Sequence, residues 1–334
     1  MIHYAVRRIL ILIPVMLAVL TITFFIVNLA PGSPFSGEKK LTAQVEANLK
    51  AKYGFDQPRS VQYFRYLARL AGFTYHLESH GYTWRPEPDF GDSTKYKGRT
   101  VNEIISESLP VSAVLGVAAY LIALGVGLPA GIAAALRPNS WIDRLVSAAS
   151  MVGVSVPSFV LGPVLVVVFS LTLYWLPPAR LEWLWEWGFV RIPTPASLLL
   201  PALTLSAVYI SYIARMTQTG MAETLRQNYI RTARAKGLPE HRVVLVHALR
   251  GALLPVVSFT GPALAGLVTG TVVVEEIFAI PGLGHYFVDA ANNRDYFLIL
   301  GITAFAAISL MIANLLVDLT YAWIDPRITY GGQR

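Results

Sequence analysis

The stretch SLPVSAVLGVAAYLIALGVGLPAGIAAAL, residues 108–136, runs from Glu107 to Arg137 without a charged side chain. A membrane-spanning helix needs about 20 predominantly apolar residues, and this run exceeds that length. Working outward, five more charge-free intervals appear: Arg8 to Glu38, with its apolar part at Ile9–Leu29, then Arg144 to Arg180, Arg191 to Arg215, Arg250 to Glu275, and Asp295 to Asp318. Each has room for one spanning helix. The Arg144–Arg180 interval is long enough for a tilted or broken helix, with Pro157 and Pro163 marking the break, and too short for two helices plus a turn. Of the 334 residues, 54% are hydrophobic and 14% charged, against about 25% charged in a soluble domain. So little polar surface does not keep a soluble fold apart from its neighbours, whereas a bilayer does not require it. The fold class expected is an all-α integral membrane protein with about six transmembrane helices.

The first interval also has the shape of a signal peptide, since it follows Arg7 and Arg8 and Ala30 suits a cleavage site. A signal core is only about 7–15 residues, so a retained helix is expected. Six spans put both termini on one side. With the N-terminus inside, the inside set holds Arg7, Arg8, Arg137, Arg144, Arg215, Arg226, Arg231, Arg234, Lys236, Arg242, Arg250, Arg327 and Arg334. The short outside loops hold Arg180, Arg191 and Arg294. The excess of inside basic residues favours an N-in, C-in topology and accounts for the +7 net charge without nucleic acid.

The expected organisation is residues 1–30 for the N-terminus and first span, 31–107 for a long extracytoplasmic loop or small cap between the first two spans, 108–322 for the remaining transmembrane core, and 323–334 for an inside tail. A cytoplasmic loop at 218–250 lies within the core. In the outer segment, Val45–Lys52 and Val61–Leu70 read as short helices, the second with Tyr63, Phe64, Tyr66 and Leu67 on an apolar side. A folded cap and a solvated loop on the membrane are the two readings. The loop after the third interval carries Trp175, Trp183, Trp185 and Trp187, which read as an interfacial anchor or as substrate contacts.

Several chemistries are absent from the sequence. There is no cysteine, so disulfides and thiolate metal sites are excluded. No G-x-x-x-x-G-K-[ST] phosphate loop, H-E-x-x-H zinc motif or G-x-S-x-G elbow occurs, and no catalytic residue is expected. His76 and His80 have i, i+4 spacing without an evident carboxylate partner, so no metal site is expected. The cores of the six intervals hold no ionisable group. Asp318 reads as a boundary carboxylate, and Asn28 and Asn314 as interhelical hydrogen-bonding residues. Gly266-x-x-x-Gly270 has the spacing of a helix-packing motif.

The inside loop contains Tyr229-Ile230-Arg231-Thr232-Ala233-Arg234-Ala235-Lys236-Gly237-Leu238. Leu225–Lys236 reads as a helix that Gly237 ends, with Pro239 beyond. Leu225, Tyr229, Ile230 and Ala233 fall on one side, with Arg231 and Arg234 opposite. By periodicity, a helix lying on anionic headgroups and a docking helix with small residues for a partner fit equally.

Arg231 to Pro239, followed by His247-Ala248-Leu249-Arg250 and Ala252-Leu253-Leu254-Pro255, resembles the cytoplasmic signature of ABC importer permeases, and more narrowly the dipeptide/oligopeptide/nickel branch. The general signature has Glu-Ala-Ala where this chain has Arg231, Thr232 and Ala233, and its Gly-to-Pro spacing is shorter. Both departures are usual in the peptide branch. Leu29 to Phe35, Asp89-Phe90-Gly91-Asp92-Ser93, Phe278 to Gly284, Asn293-Arg294-Asp295-Tyr296 and Asp325-Pro326-Arg327 follow in the family's order, and Tyr75–Pro88 resembles an insertion. The resemblance implies a pore-forming permease of a bacterial cytoplasmic membrane. It implies a second homologous permease, two P-loop ATPases that bind ATP and Mg, and a substrate-binding protein that delivers peptide. It implies that Tyr229–Leu238 couples to the ATPase, and that Pro281, Gly282, Leu283 and Gly284 face the binding protein or gate. The other expectations carried forward are an ion-coupled carrier and a membrane-embedded enzyme.

Overall fold

The computed structural model describes residues 2–29, 34–35, 42–76, 81–84, 87–178, 181–187 and 190–324. His80, Arg180, the tail motif Asp325-Pro326-Arg327, most of Ala30–Leu41 and part of the Tyr75–Pro88 insertion lie outside the described residues. The chain begins with α1 (Ile2–Leu29). The outer segment then forms α2 (Ala43–Tyr53), α3 (Arg59–Leu70) and a hairpin of β1 (Phe73–His76) with β2 (Gly81–Trp84). Both short helices expected there are present, and Tyr66 of α3 is buried against α1 and the start of the last helix, so the cap is folded.

The longest helix is α4 (Val101–Leu136), which contains the opening stretch. A capping box starts it: Thr100 Oγ1 accepts from the Glu103 N–H at 3.2 Å, and Glu103 Oε2 accepts from the Thr100 N–H at 2.9 Å. Next come α5 (Trp141–Ser155) and α6 (Ser158–Leu165), the latter prolonged by a π-turn at Val166–Thr172. These two limbs meet at 105°. The interval read as a tilted or broken helix is thus a bent pair, with Val156 and Pro157 making the corner and no turn between. The break falls at Pro157, which cannot donate to the α5 ladder. Pro163 lies inside α6, where only the π-turn follows it.

A second hairpin pairs β3 (Trp183–Trp187) with β4 (Val190–Pro193) where the sequence reading had only a loop. Trp175 there is exposed and Trp183 half-buried. Next, α7 (Pro195–Thr224) opens on a Thr194 cap with Pro195 in its first turn. It continues well past Arg215, the end of its charge-free interval. After it come α8 (Asn228–Ala235), α9 (Glu240–Arg242), a π-turn at Val243–Ala248 and α10 (Leu249–Ala252). The chain closes with α11 (Leu254–Val268), α12 (Val272–Ile277), α13 (Leu283–Asn293) and α14 (Tyr296–Ile324).

Four segments, Val101–Leu136, Pro195–Thr224, Leu254–Ile277 and Tyr296–Asp318, are long and apolar enough to cross a membrane, or five counting the bent α5–α6 pair; Ile13–Leu29 of α1 is a shorter apolar helix. The most extensive pairing is α4 with α7. Glycines bring these two together: a Cβ on Gly131 would lie 2.7 Å from Thr217 Cβ, far inside contact distance. The Gly266/Gly270 spacing has no such role within this chain. A Cβ on Gly266 would meet nothing within 4 Å, and Gly270 lies beyond the end of α11 with φ of 109°. Asn28 bonds to the Phe24 carbonyl of its own helix at 2.8 Å, so this bond lies within α1 and not between helices.

Candidate functional site

The C-terminal end of the α4–α7 pair carries the motif Tyr229–Leu238. Here α7 runs to Thr224 and the chain turns through Leu225–Gln227, so the expected helix from Leu225 begins instead at Asn228. Arg226 and Gln227 close the turn on Glu223 and Thr224 carbonyls. Ile230 (0% exposed) and Ala233 (9%) face inward against Ala135 of α4, Met221 of α7, Val243, Val244 and Ala252. Burying an isoleucine of this kind stabilises by about 1.5–3 kcal/mol. Tyr229 is half-exposed, in spite of its expected place on the apolar side, and a Cβ on Gly251 would approach its hydroxyl to 3.3 Å.

The opposite face, formed by Arg231, Thr232, Ala235 and Lys236, is exposed. Gly237 ends the helix at φ of 75°, where L side chains are strained, and its N–H donates to the Arg234 carbonyl at 2.9 Å. Leu238 is half-buried and returns the chain to the bundle. Arg234 is held by two hydrogen bonds to Glu240, Nε at 3.1 Å and Nη2 at 2.6 Å. Hydrogen bonding to Arg234 draws the Glu240 carboxyl below its usual range.

On the far side, Phe278 to Gly284 forms a compact corner between α12 and α13. Gly282, Leu283 and Gly284 are buried and Pro281 is half-buried, so this stretch packs inside the chain; Ala279, at φ of 48°, is the exposed point of the corner. Of the four residues expected to face a binding protein or gate, Pro281 is the one not buried within this chain. What holds the corner is Glu275, fully buried. Its Oε1 accepts from Ser112 Oγ of α4 at 2.9 Å and from the Thr271 N–H at 3.0 Å. Its Oε2 accepts from the N–H groups of Gly284 at 2.8 Å and His285 at 3.2 Å. Ser112 Oγ in turn accepts from the Leu283 N–H at 2.9 Å. A Cβ on Gly282 or Gly284 would collide with this carboxylate.

Sequence reasoning missed Glu275 because it served only to close a charge-free interval. The available signal was its place six residues before Pro281-Gly282-Leu283-Gly284. Glu275 lies near the end of the apolar segment Leu254–Ile277, outside the charge-free core of that interval.

Two further motifs meet at a second carboxylate. Asp295, also fully buried, accepts from Ser93 Oγ and from the N–H groups of Thr94 at 3.1 Å, Lys95 at 3.2 Å and Leu298 at 3.2 Å. The stretches Asp89–Ser93 and Asn293–Tyr296 are thereby joined at the mouth of α4 and α14. Beside them Lys95, Tyr96 (2.5 Å) and Asn293 (2.9 Å) donate to Asp289. Among the described residues no group of three His, Cys, Asp or Glu side chains is arranged to hold a metal.

Comparison with known proteins matches residues 127–330 to the family described as binding-protein-dependent transport system inner membrane component, and residues 1–116 to its N-terminal counterpart. The chain is 46% identical to the oligopeptide transport system permease protein OppB of Salmonella typhimurium over 99% of this chain and 100% of that protein. It is 38% identical to the dipeptide transport system permease protein DppB of Bacillus subtilis over 98% of each. Among solved structures, an inward-facing form of the MetNI methionine ABC transporter aligns with a TM-score of 0.51 at 18% identity, covering 67% of this chain and 97% of that one. This last likeness bears on the fold alone.

Proposed function

The chain belongs to the family of binding-protein-dependent transport system inner membrane components, and from that premise we propose that it forms one half of the translocation pore of an ATP-driven oligopeptide importer. It is a multi-pass permease of the inner membrane. In the proposed assembly a second homologous permease completes the pore, two P-loop ATPases bind ATP and Mg on the inside, and an extracytoplasmic binding protein delivers peptide. The six charge-free intervals then make six spans with both termini inside, α5 and α6 serving together as one broken span.

The observation that carries the reading is α8. It is anchored through Ile230 and Ala233 to the ends of α4 and α7, and presents Arg231, Thr232, Ala235 and Lys236 outward. A helix so fixed transmits a push from a docked ATPase to the longest helix pair of the protein. The sequence carries no phosphate loop of its own. Among the described residues Glu275 is the one buried carboxylate in an apolar segment, and it already accepts four hydrogen bonds from this chain, which leaves it little capacity to carry an ion.

The test is gentle extraction of the tagged chain from its native membrane with identification of what co-purifies. Two P-loop ATPases and a second permease are the expected companions, with uptake that requires ATP and survives collapse of the ion gradient. A chain that purifies alone and moves solute under an ion gradient overturns the reading in favour of a carrier. Turnover of a substrate by the isolated chain overturns it in favour of an enzyme.

A further inference from the structure

The α5 helix contains no fully buried residue, although it lies beside α7 over much of its length. Between them run two adjoining hollows. The one nearer the middle of α7, about 590 Å³, is lined by apolar and small side chains such as Val126, Leu145, Val152, Ala207 and Ile210. The one nearer the cytoplasm, about 660 Å³, is mixed, with Ser147 and Met151 on the α5 side, Arg215, Gln218 and Glu223 on the α7 side, and Arg226 in the turn just beyond α7. Ser150 lines both, so they form one groove. From Ala207 to Glu223 the groove follows α7 for about 24 Å at about 1.5 Å per residue.

The charged groups are placed at the inner mouth. Arg215 stands 20 residues after Pro195, the first residue of α7, hence about 30 Å along the helix, a length equal to the thickness of a hydrocarbon core. It is exposed and has no ion pair among the described residues. Glu223, exposed on the same wall two turns further on, likewise has none. The neighbouring carboxylate, Asp143 of α5, is engaged by Gln218 Nε2 at 2.6 Å, a bond that ties the two helices together at the groove floor. Arg215 and Glu223, about 12 Å apart along one helix with Arg226 just beyond, lie at the end of an apolar channel and complement a chain with opposite charges at its two ends and varied side chains between. An anionic lipid headgroup suits Arg215 and Arg226 and leaves Glu223 unmatched, whereas a peptide with free termini brings a group of each sign.

We infer that the α5–α7 groove is this subunit's wall of the peptide path, and that Arg215 meets the terminal carboxylate of the peptide as it leaves toward the cytoplasm. The inference rests on the importer reading above and names a substrate contact within it.

The experiment uses the complete transporter in vesicles, with a short peptide and its C-terminally amidated twin as probes. Uptake of each is measured for the wild type, Arg215→Gln and Arg215→Lys. Dividing each variant's rate by the wild-type rate for the same peptide removes any preference of the binding protein. The expected result is about a tenfold loss with Arg215→Gln for the free peptide, the size of one charge-assisted contact, less than a twofold change for the amide, and partial recovery with Arg215→Lys. Equal losses for both peptides, or none, overturn the assignment. A loss that is equal for both and vanishes in vesicles of zwitterionic lipid identifies a lipid contact instead.

The chain has no cysteine, so Ser150→Cys gives a second readout. Peptide under turnover is expected to slow its labelling by a water-soluble maleimide, and labelling indifferent to peptide overturns the groove. A wild-type complex that hydrolyses ATP and takes up neither peptide sinks the peptide reading itself, a result distinct from the failure of Arg215 alone.

Discussion

Ser112 and Glu275 are 163 positions apart and share a hydrogen bond of 2.9 Å, through which α4 holds the α12–α13 corner. Replacing Glu275 with alanine leaves the Ser112 hydroxyl and the N–H groups of Thr271, Gly284 and His285 without their acceptor. Removing one partner of a buried charged site typically costs roughly 3–5 kcal/mol. Glu275→Gln keeps the shape but turns an amide NH2 toward donors, and is expected to cost about 1–3 kcal/mol. Thermal unfolding of the purified complex in detergent orders the series wild type, Gln, Ala. A stability for Glu275→Ala within about 1 kcal/mol of wild type contradicts this role.

The Asp289 clamp gives a pH dependence with a definite sign. Burial raises the Asp289 carboxyl, but hydrogen bonds from Lys95 and Tyr96 and the Lys95 charge outweigh it and hold the group below its ordinary value of 3.8. A depressed folded-state pKa contributes stability above the unfolded value, lost as pH falls through the folded one. Protease cleavage in the 87–100 segment is therefore expected to stay slow from pH 7 to about 4 and to quicken below. Asp289→Asn is expected to show faster cleavage already at pH 7 and a flatter profile. Parallel profiles for the two proteins contradict the clamp.

The long apolar helices, the two short helices between Ala43 and Leu70 and the helix ending at Gly237 were legible because each rests on local signals: absence of charge, a 3.6-residue period, and a glycine after a basic turn. The hairpin ending at Pro193 was hidden because its tryptophan-rich strand reads equally as an interfacial loop. The start of α8 was displaced because Leu225 continues the apolar pattern of the helix before it, while the turn there is fixed by bonds back to Glu223 and Thr224. Glu275 and Asp295 were unreadable for a different reason. Their burial depends on donors from Ser112 and Ser93, which the sequence places far away, and a carboxylate at the edge of an apolar run gives no local sign of being inside it.

Two glycines separate packing within the chain from packing against a partner. A Cβ on Gly131 would lie 2.7 Å from Thr217, whereas one on Gly266 meets nothing within 4 Å. Gly131→Leu is expected to reduce stability by about 1–3 kcal/mol or more through overpacking of α4 on α7, with loss of monodisperse protein on gel filtration. Gly266→Leu is expected to leave the isolated chain folded. If it nevertheless abolishes assembly with the second permease, that face of α11 is in the pairing surface; wild-type assembly places the surface elsewhere.

Gly237 tests the coupling helix through the backbone. Its φ of 75° lies in the left-handed region, yet space around it is open. Size at this point is therefore tolerated within the chain, and conformation is not. Alanine is expected to cost about 1 kcal/mol at the helix end, and β-branched valine more. Asparagine, which adopts the left-handed conformation readily, is expected to stay close to wild type. If α8 carries ATPase docking, co-purification of the ATPase and peptide uptake fall in the order Gly, Asn, Ala, Val, with membrane insertion unchanged. Asn and Val failing alike would mean that the partner excludes any side chain at 237, so that the site is read by contact. Normal ATPase recovery and uptake with all three removes Tyr229–Leu238 from the coupling path, because a helix whose end is displaced cannot pass a force to α4 and α7 unaltered.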